Sequence, residues 1–232
     1  QPDEYVVLSS HLDSWDGGSG ATDTGAGTIT ILEAMRILKE VYPEPKRTIL
    51  VGHWGGEEQG LNGSRAFAQD NPDIVQGLHV LLNFDIGTGL VNDISMQGMT
   101  GAGEHFSRWF AQMPSELSGP LKLTLPGTPA SGGTDHASFL CYGVPAFRFG
   151  GRDWDYPAYT WHTNRDTFDK LVFEEVSHNA TLIAAMAYLA AEDPDRVSRD
   201  RRETFPVDAS TGKIMTWPTC RDPERSWPGP GG

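Results

Sequence analysis

Three short apolar runs constrain this chain more than any other feature, because each gives way to histidine or carboxylate at its carboxyl end. Tyr5-Val6-Val7-Leu8 leads through two serines to His11-Leu12-Asp13. Arg47-Thr48-Ile49-Leu50-Val51-Gly52 is followed by Gly55-Gly56-Glu57-Glu58, and Leu78-His79-Val80-Leu81-Leu82-Asn83-Phe84 ends on Asp85. Such runs read as buried strands. Between the first two lies Thr28 to Tyr42, where Ile31, Leu32, Met35, Leu38 and Val41 recur on one helical face until Pro43-Glu44-Pro45 stops it. Strand, helix and strand in this order indicate an α/β layer.

The same reading places a helix around Ser64 to Gln69, a strand at Asp93 to Gln97, and a helix at Ala102 to Ala111. It continues with a strand at Leu121 to Leu125, a short helix near Asp135 to Leu140, a strand at Pro145 to Phe149, and a closing helix at Val172 to Ala191. From Glu192 the composition shifts to charges, prolines and glycines, so residues 192–232 are expected to be an extended or disordered tail on a domain of residues 1–191.

A chain of 232 residues suits one large domain better than two. Its formal net charge of -13 argues against a nucleic-acid partner, since phosphate binding needs a basic face. No apolar run approaches the roughly 20 residues of a membrane span. Gln1-Pro2-Asp3-Glu4 lacks the features of a signal peptide and would fit a mature form whose leader is gone. Cys141 and Cys220 are too far apart for a C-x-x-C zinc pair, leaving one disulfide or none.

In open α/β sheets, polar residues at the carboxyl ends of several strands converge on one crevice. That rule gathers His11, Asp13, Glu57, Glu58 and Asp85, with Asp23 from the loop Ala21 to Gly27 and His162 from Tyr159-Thr160-Trp161-His162-Thr163. Singly, each has an ordinary explanation: Asp23 can complement the positive end of the following helix, and Glu57 and Glu58 can be a solvated pair. Together they weigh differently. Adjacent ionised acids at a buried strand end are costly unless a cation offsets them. Mixed imidazole and carboxylate donors suit zinc, and paired zinc ions can activate water and polarise a carbonyl together. Three carboxylate ligands with one hydroxide would balance two divalent ions, freeing a fourth carboxylate to be a base.

His11-Leu12-Asp13, Asp23-Thr24-Gly25-Ala26-Gly27, Glu57-Glu58-Gln59-Gly60, Asn83-Phe84-Asp85 and His162-Thr163-x-x-Asp166-Thr167, in this order, resemble the aminopeptidase-type family of co-catalytic zinc exopeptidases. That family includes bacterial leucyl aminopeptidases, glutamate carboxypeptidase and carboxypeptidase Q. The resemblance covers most of residues 5–191, and His11 to Asp16 with Pro45 to Thr48 are similar to the carboxypeptidase Q branch in particular. It implies a three-layer α/β sandwich with a mixed, mostly parallel central sheet and helices on both faces. It further implies two zinc ions, one held by His11 and Asp85, the other by Glu58 and His162, with Asp23 bridging them. Glu57 would be the general base, and Asp13 would orient His11. No G-x-S-x-G elbow is present, and Asp23 stands where a dinucleotide fingerprint needs its third glycine.

Two departures from the family pattern shape further expectations. Only one strand precedes His11, where the family has further sheet elements, so the chain reads as the later part of a longer precursor. An N-terminal fragment of that precursor or a second copy of the chain would then complete the sheet. Trp161 precedes His162, which leaves Tyr159, His136 and Tyr156 as candidates for stabilising an oxyanion. Ser131 to His136 is similar to a substrate-side loop of the family. The expected function is hydrolysis of short peptides by a secreted or periplasmic exopeptidase, an aminopeptidase or dipeptidase. The alternatives are a non-catalytic receptor or interaction domain and a glutaminyl cyclase-like acyltransferase.

Overall fold

A computed structural model describes residues 1–208 and 211–226. Six strands form one sheet: β1 (Tyr5–His11), β2 (Thr48–Trp54), β3 (Leu78–Asn83), β4 (Val91–Ser95), β5 (Lys122–Thr124) and β6 (Ala146–Gly151). Their spatial order is β2-β1-β3-β6-β4-β5. The pairs β2-β1, β1-β3, β3-β6 and β4-β5 are parallel, and β4-β6 is antiparallel. The sheet is therefore mixed and mostly parallel, as expected. All six residues of β3 are buried, and so are the last six of β1, as the uninterrupted apolar runs require of strands covered on both faces.

Among the described residues, seven α-helices accompany it: α1 (Ala26–Val41), α2 (Asn62–Asp70), α3 (Pro72–Gly77), α4 (Ala102–Phe110), α5 (Ser115–Ser118), α6 (Ala137–Leu140) and α7 (Phe173–Glu192). Helix α1 packs on α7 and β1, whereas α2 packs on α6 and β2, which gives the three-layer sandwich. Two helices, α3 and α5, were not expected from the pattern. Six and four residues complete too little of a helical period for an apolar face to show. Strands β1 and β2 run further than their apolar cores, so that His11 belongs to β1 itself. Large aromatic side chains, among them Phe84, Phe106, Trp109, Phe147 and Phe149, fill the centre.

Arg47 is a buried guanidinium at the edge of that centre, 1% exposed. Its Nε donates to Glu4 at 2.6 Å, and Nη1 donates to the main-chain oxygens of Ala190, Ala191 and Asp193. The free carbonyls that end α7 thus receive a cation, which their partial negative charge favours.

Beyond Glu192 the described chain runs over the body with two isolated bridges, Met99 with Arg201 and Val207 with Ile214. It is pinned at intervals. Trp217 donates its indole N–H to Leu140 at 3.2 Å, Cys220 is disulfide-bonded to Cys141, and Arg225 meets Asp70 at 2.7 Å. Of the expected tail, residues 209, 210 and 227–232 lie outside the described residues. Among the described residues, no helix is long and apolar enough to cross a membrane.

Candidate metal centre

His11 ends β1 with its ring buried, and its Nε2 lies 3.2 Å from Asp23 Oδ1 and 3.5 Å from Asp85 Oδ1. His162 Nε2 lies 3.0 Å from Glu58 Oε2 and 3.5 Å from Asp23 Oδ2. The two oxygens of Asp23 therefore face different imidazoles. Three triads, His11 with Asp23 and Asp85, Asp23 with Glu58 and His162, and His11 with Glu57 and Glu58, each gather their donor atoms within 4.8 Å of one another. All five residues expected to hold metal are brought together, with Glu57 beside them.

Strand β1 delivers His11, and the turn after β3 delivers Asp85. Glu57 and Glu58 sit on the bend between β2 and α2, where Gly56, Gly60 and Leu61 all take positive φ. Glycine tolerates that region at no steric cost, so the bend can be tight enough to turn both acids toward β1. Asp23 lies in the turn preceding α1. Gly27, on the first turn of α1, approaches the main-chain oxygen of Phe84 so closely that a Cβ there would stand 2.8 Å away, which brings Asp23 against the end of β3.

Asp13 works on two sides. Its main-chain oxygen lies 2.9 Å from His11 Nδ1, while its carboxylate accepts the main-chain N–H groups of Glu57 and Glu58, each at 3.1 Å. The carboxylate itself is 3.9 Å from His11 Nδ1, beyond hydrogen-bond reach. Asp166 does the equivalent for Asp23. Its Oδ1 accepts the N–H and hydroxyl of Thr22 at 2.6 and 2.8 Å, and its Oδ2 accepts the N–H of Asp23 at 2.9 Å.

Trp15 donates its indole N–H to Glu58 Oε2 at 2.6 Å and has its ring 5.4 Å from that of His162. Trp161 packs on the same imidazole, with ring centroids 4.1 Å apart. His162 itself takes φ 57, a conformation that costs a non-glycine residue energy and is found where surrounding structure enforces it. Trp15 was not singled out in the sequence, where a half-exposed tryptophan in a polar loop looks like any other. Asp166 was visible only as the last acid of the His162 motif.

The electrostatics explain what these groups are short of. His11 Nε2, Asp23 Oδ2 and Glu58 Oε1 are buried without a hydrogen-bond partner, although each has other site atoms close by. Burial, then the charges of Asp85 and Asp135, push Glu57 up to about 9. Burial and Asp23 push Glu58 up to about 7. Burial alone would lower His11, but Asp23, Asp85 and Glu57 outweigh it and raise the imidazole to about 12. Protons thus compensate the buried negative charge of the metal-free centre. Divalent cations would take over that compensation, and unpartnered nitrogen and oxygen donors around one point are what a zinc ion uses. The residues present fit the metal.

Of the oxyanion candidates, Tyr159 is 44% exposed under the Arg165 guanidinium, and His136 is fully buried with neither ring nitrogen partnered. Tyr156 faces the centre: burial, then Asp85 and Asp23, push its phenol up, so the hydroxyl remains a donor. The cleft lined by Asp23, Glu57, Glu58, Asp85 and His162 holds about 320 Å³ and is completed by Gly60, Leu61, Arg65, Gly132, Gly133, Trp161 and Arg221.

The chain is similar to known proteins over most of its length. The model of peptidase family M28 matches residues 1–187. Carboxypeptidase Q of Rattus norvegicus is 30% identical over 199 residues, covering 85% of this chain and 40% of the relative. The structure of a peptidase M28 precursor from Shewanella amazonensis superposes with a TM-score of 0.72 at 30% identity, over 84% of this chain and 43% of that one. A zinc aminopeptidase from Bacillus subtilis gives 0.65 at 25% identity, over 87% and 49%. The chain therefore spans less than half the length of these relatives.

Proposed function

The chain belongs to peptidase family M28, and from that membership and its site we propose that it is a di-zinc exopeptidase acting on short peptides. One observation carries the reading: Asp23 presents one oxygen to the His11 and Asp85 group and the other to the Glu58 and His162 group. A single carboxylate so shared suits two ions held side by side, His11 and Asp85 on one, Glu58 and His162 on the other. Zinc bound there would polarise the scissile carbonyl and acidify the attacking water.

The remaining chemistry belongs to the chain's own groups. The Glu57 carboxylate takes a proton from the attacking water as its oxygen bonds to the carbonyl carbon. It returns that proton to the amine nitrogen as the carbon–nitrogen bond breaks. Asp13, holding the N–H groups of both Glu57 and Glu58, fixes the base relative to the ligand beside it. Trp15 and Trp161 keep His162 in place, and Tyr156 donates to the oxygen on which negative charge develops.

An aminopeptidase or dipeptidase activity in an exported protein fits both the family and the Cys141–Cys220 disulfide, a bond of oxidising compartments. A receptor domain would have no use for the unpartnered donors, and a glutaminyl cyclase-like acyltransferase would bind a single zinc. The test is metal analysis of zinc-loaded protein alongside a panel of dipeptides, aminoacyl anilides and blocked long peptides. Two zinc ions per chain and chelator-sensitive release of N-terminal residues are expected. Absence of stoichiometric zinc, or cleavage confined to the interior of blocked peptides, overturns the reading.

A further inference from the structure

The segment beyond Glu192 contributes to the metal cleft a side chain that lies outside the family match of residues 1–187. Cys220 is bonded to Cys141, the residue that follows α6, and Arg221 is the next residue along. Arg221 lines the cleft together with Arg65 of α2 and with Asp23, Glu57, Glu58 and Asp85. Both arginines also line a small cavity beneath the segment, against Ser138, Cys141 and Pro218, so they stand where the disulfide-held segment meets the cleft.

Among the described residues, neither guanidinium has an ion-pair or hydrogen-bond partner. Among the described residues, Arg36, Arg47, Arg108, Arg152 and Arg225 meet carboxylates within 4.0 Å, whereas Arg65 and Arg221, like Arg148, Arg165 and Arg201, meet none and make no side-chain hydrogen bond. They are near enough to each other that burial and the charge of Arg221 together hold Arg65 below its usual range. The charges of Asp135 and Glu57 offset part of this lowering without an ion pair to Arg65, and Asp23 and Glu58 face the two imidazoles instead. Two like charges kept together beside a reaction centre, with forked donors free, form a receptor for a carboxylate.

We propose that Arg65 and Arg221 bind a carboxylate of the peptide substrate and that the Cys141–Cys220 disulfide sustains this preference by holding Arg221 at the cleft. This deepens the peptidase reading and rests on it. The carboxylate is either the free carboxyl terminus of a very short peptide or the side chain of an acidic residue. Length decides between them: a free terminus reaches the subsite only in peptides short enough to fit the cleft, while an acidic side chain does so in longer ones.

The experiment compares kcat/KM of the zinc-loaded protein for Ala-Ala, for Ala-Ala-amide and for Ala-Asp-amide. A free-acid to amide ratio of about tenfold or more is expected, the size of one charge-assisted interaction. That ratio falls toward one in Arg65→Gln and Arg221→Gln, and is partly restored by Arg221→Lys. A gain of Ala-Asp-amide over Ala-Ala-amide assigns the subsite to side chains as well. Equal rates for all three in the parent protein overturn the subsite while leaving the peptidase reading intact. Hydrolysis of none overturns that reading and the subsite with it. The double variant Cys141→Ser with Cys220→Ser should lose preference as Arg221→Gln does, and an unchanged ratio there overturns the part given to the disulfide. The parent ratio needs no variant, so a poorly folding substitution does not shield the idea.

Discussion

Asp166 accepts the main-chain N–H of Asp23 at 2.9 Å, across 143 positions of sequence. The contact ties the loop carrying His162 to the turn carrying the carboxylate that both imidazoles share. Because Asp166 is 3% exposed, replacing it by Asn removes an acceptor where water cannot substitute, and sets an amide N–H against a main-chain N–H. Outer partners of metal ligands typically govern affinity by about 10- to 100-fold. Asp166→Asn should weaken zinc binding on that scale, measured by competition with a chromophoric chelator. Unaltered affinity would show that Asp23 is held by other means.

Glu57 is the site carboxylate left over when His11, Asp85, Asp23, Glu58 and His162 are taken as ligands. Glu57→Gln should therefore retain two zinc ions and lose turnover by about 10²- to 10⁴-fold, the usual contribution of a positioned base. Turnover at the parental rate would place the base elsewhere.

Zinc uptake should release protons. In the metal-free centre His11 is raised to about 12 and Glu57 to about 9, so both carry a proton at neutral pH. A ligand nitrogen must give its proton up, and a nearby dication lowers the carboxylic acid. Calorimetric titration in two buffers of different ionisation enthalpy should reveal the release, with affinity rising as pH rises between about 6 and 8. A buffer-independent enthalpy would contradict it.

How much of this was legible in the sequence follows from where the information lies. The strands β1 and β3 announce themselves because Val6 to Leu8 and Val80 to Leu82 are buried on both faces, and their ends marked His11 and Asp85. The pairing of Cys141 with Cys220 was undecidable, since it depends on an irregular segment returning to α6. Asp13 was expected to orient His11, and only the folded structure reveals that its carboxylate holds the main chain of Glu57 and Glu58. Arg65 and Arg221 were invisible as a pair. They are 156 positions apart, and nothing in composition or spacing links a helix residue to an irregular segment.

Acid should weaken the fold through His79. It is fully buried against Trp109, burial and the charge of Arg47 lower it to about 3, and its Nδ1 accepts the N–H of Val197 at 3.3 Å. A histidine whose folded pKa is depressed gives its full stability above the unfolded value near 6.5, and loses it as pH falls toward 3. Across that window the loss is about 1.4 kcal/mol per pH unit for one histidine. Urea unfolding at pH 7, 5.5 and 4.5 should show the slope, and His79→Asn should flatten it by that amount. Equal slopes in parent and variant would assign the acid sensitivity to other groups.

Strand β1 lies between β2 and β3, paired along both of its edges, and His11 is its last residue. Its amide hydrogens are thus shielded until the sheet itself comes apart. An ion bound at the end of that strand would act on an element paired on both sides, so occupancy of the centre would become readable by deuterium uptake at the buried residues Val6 to Ser10.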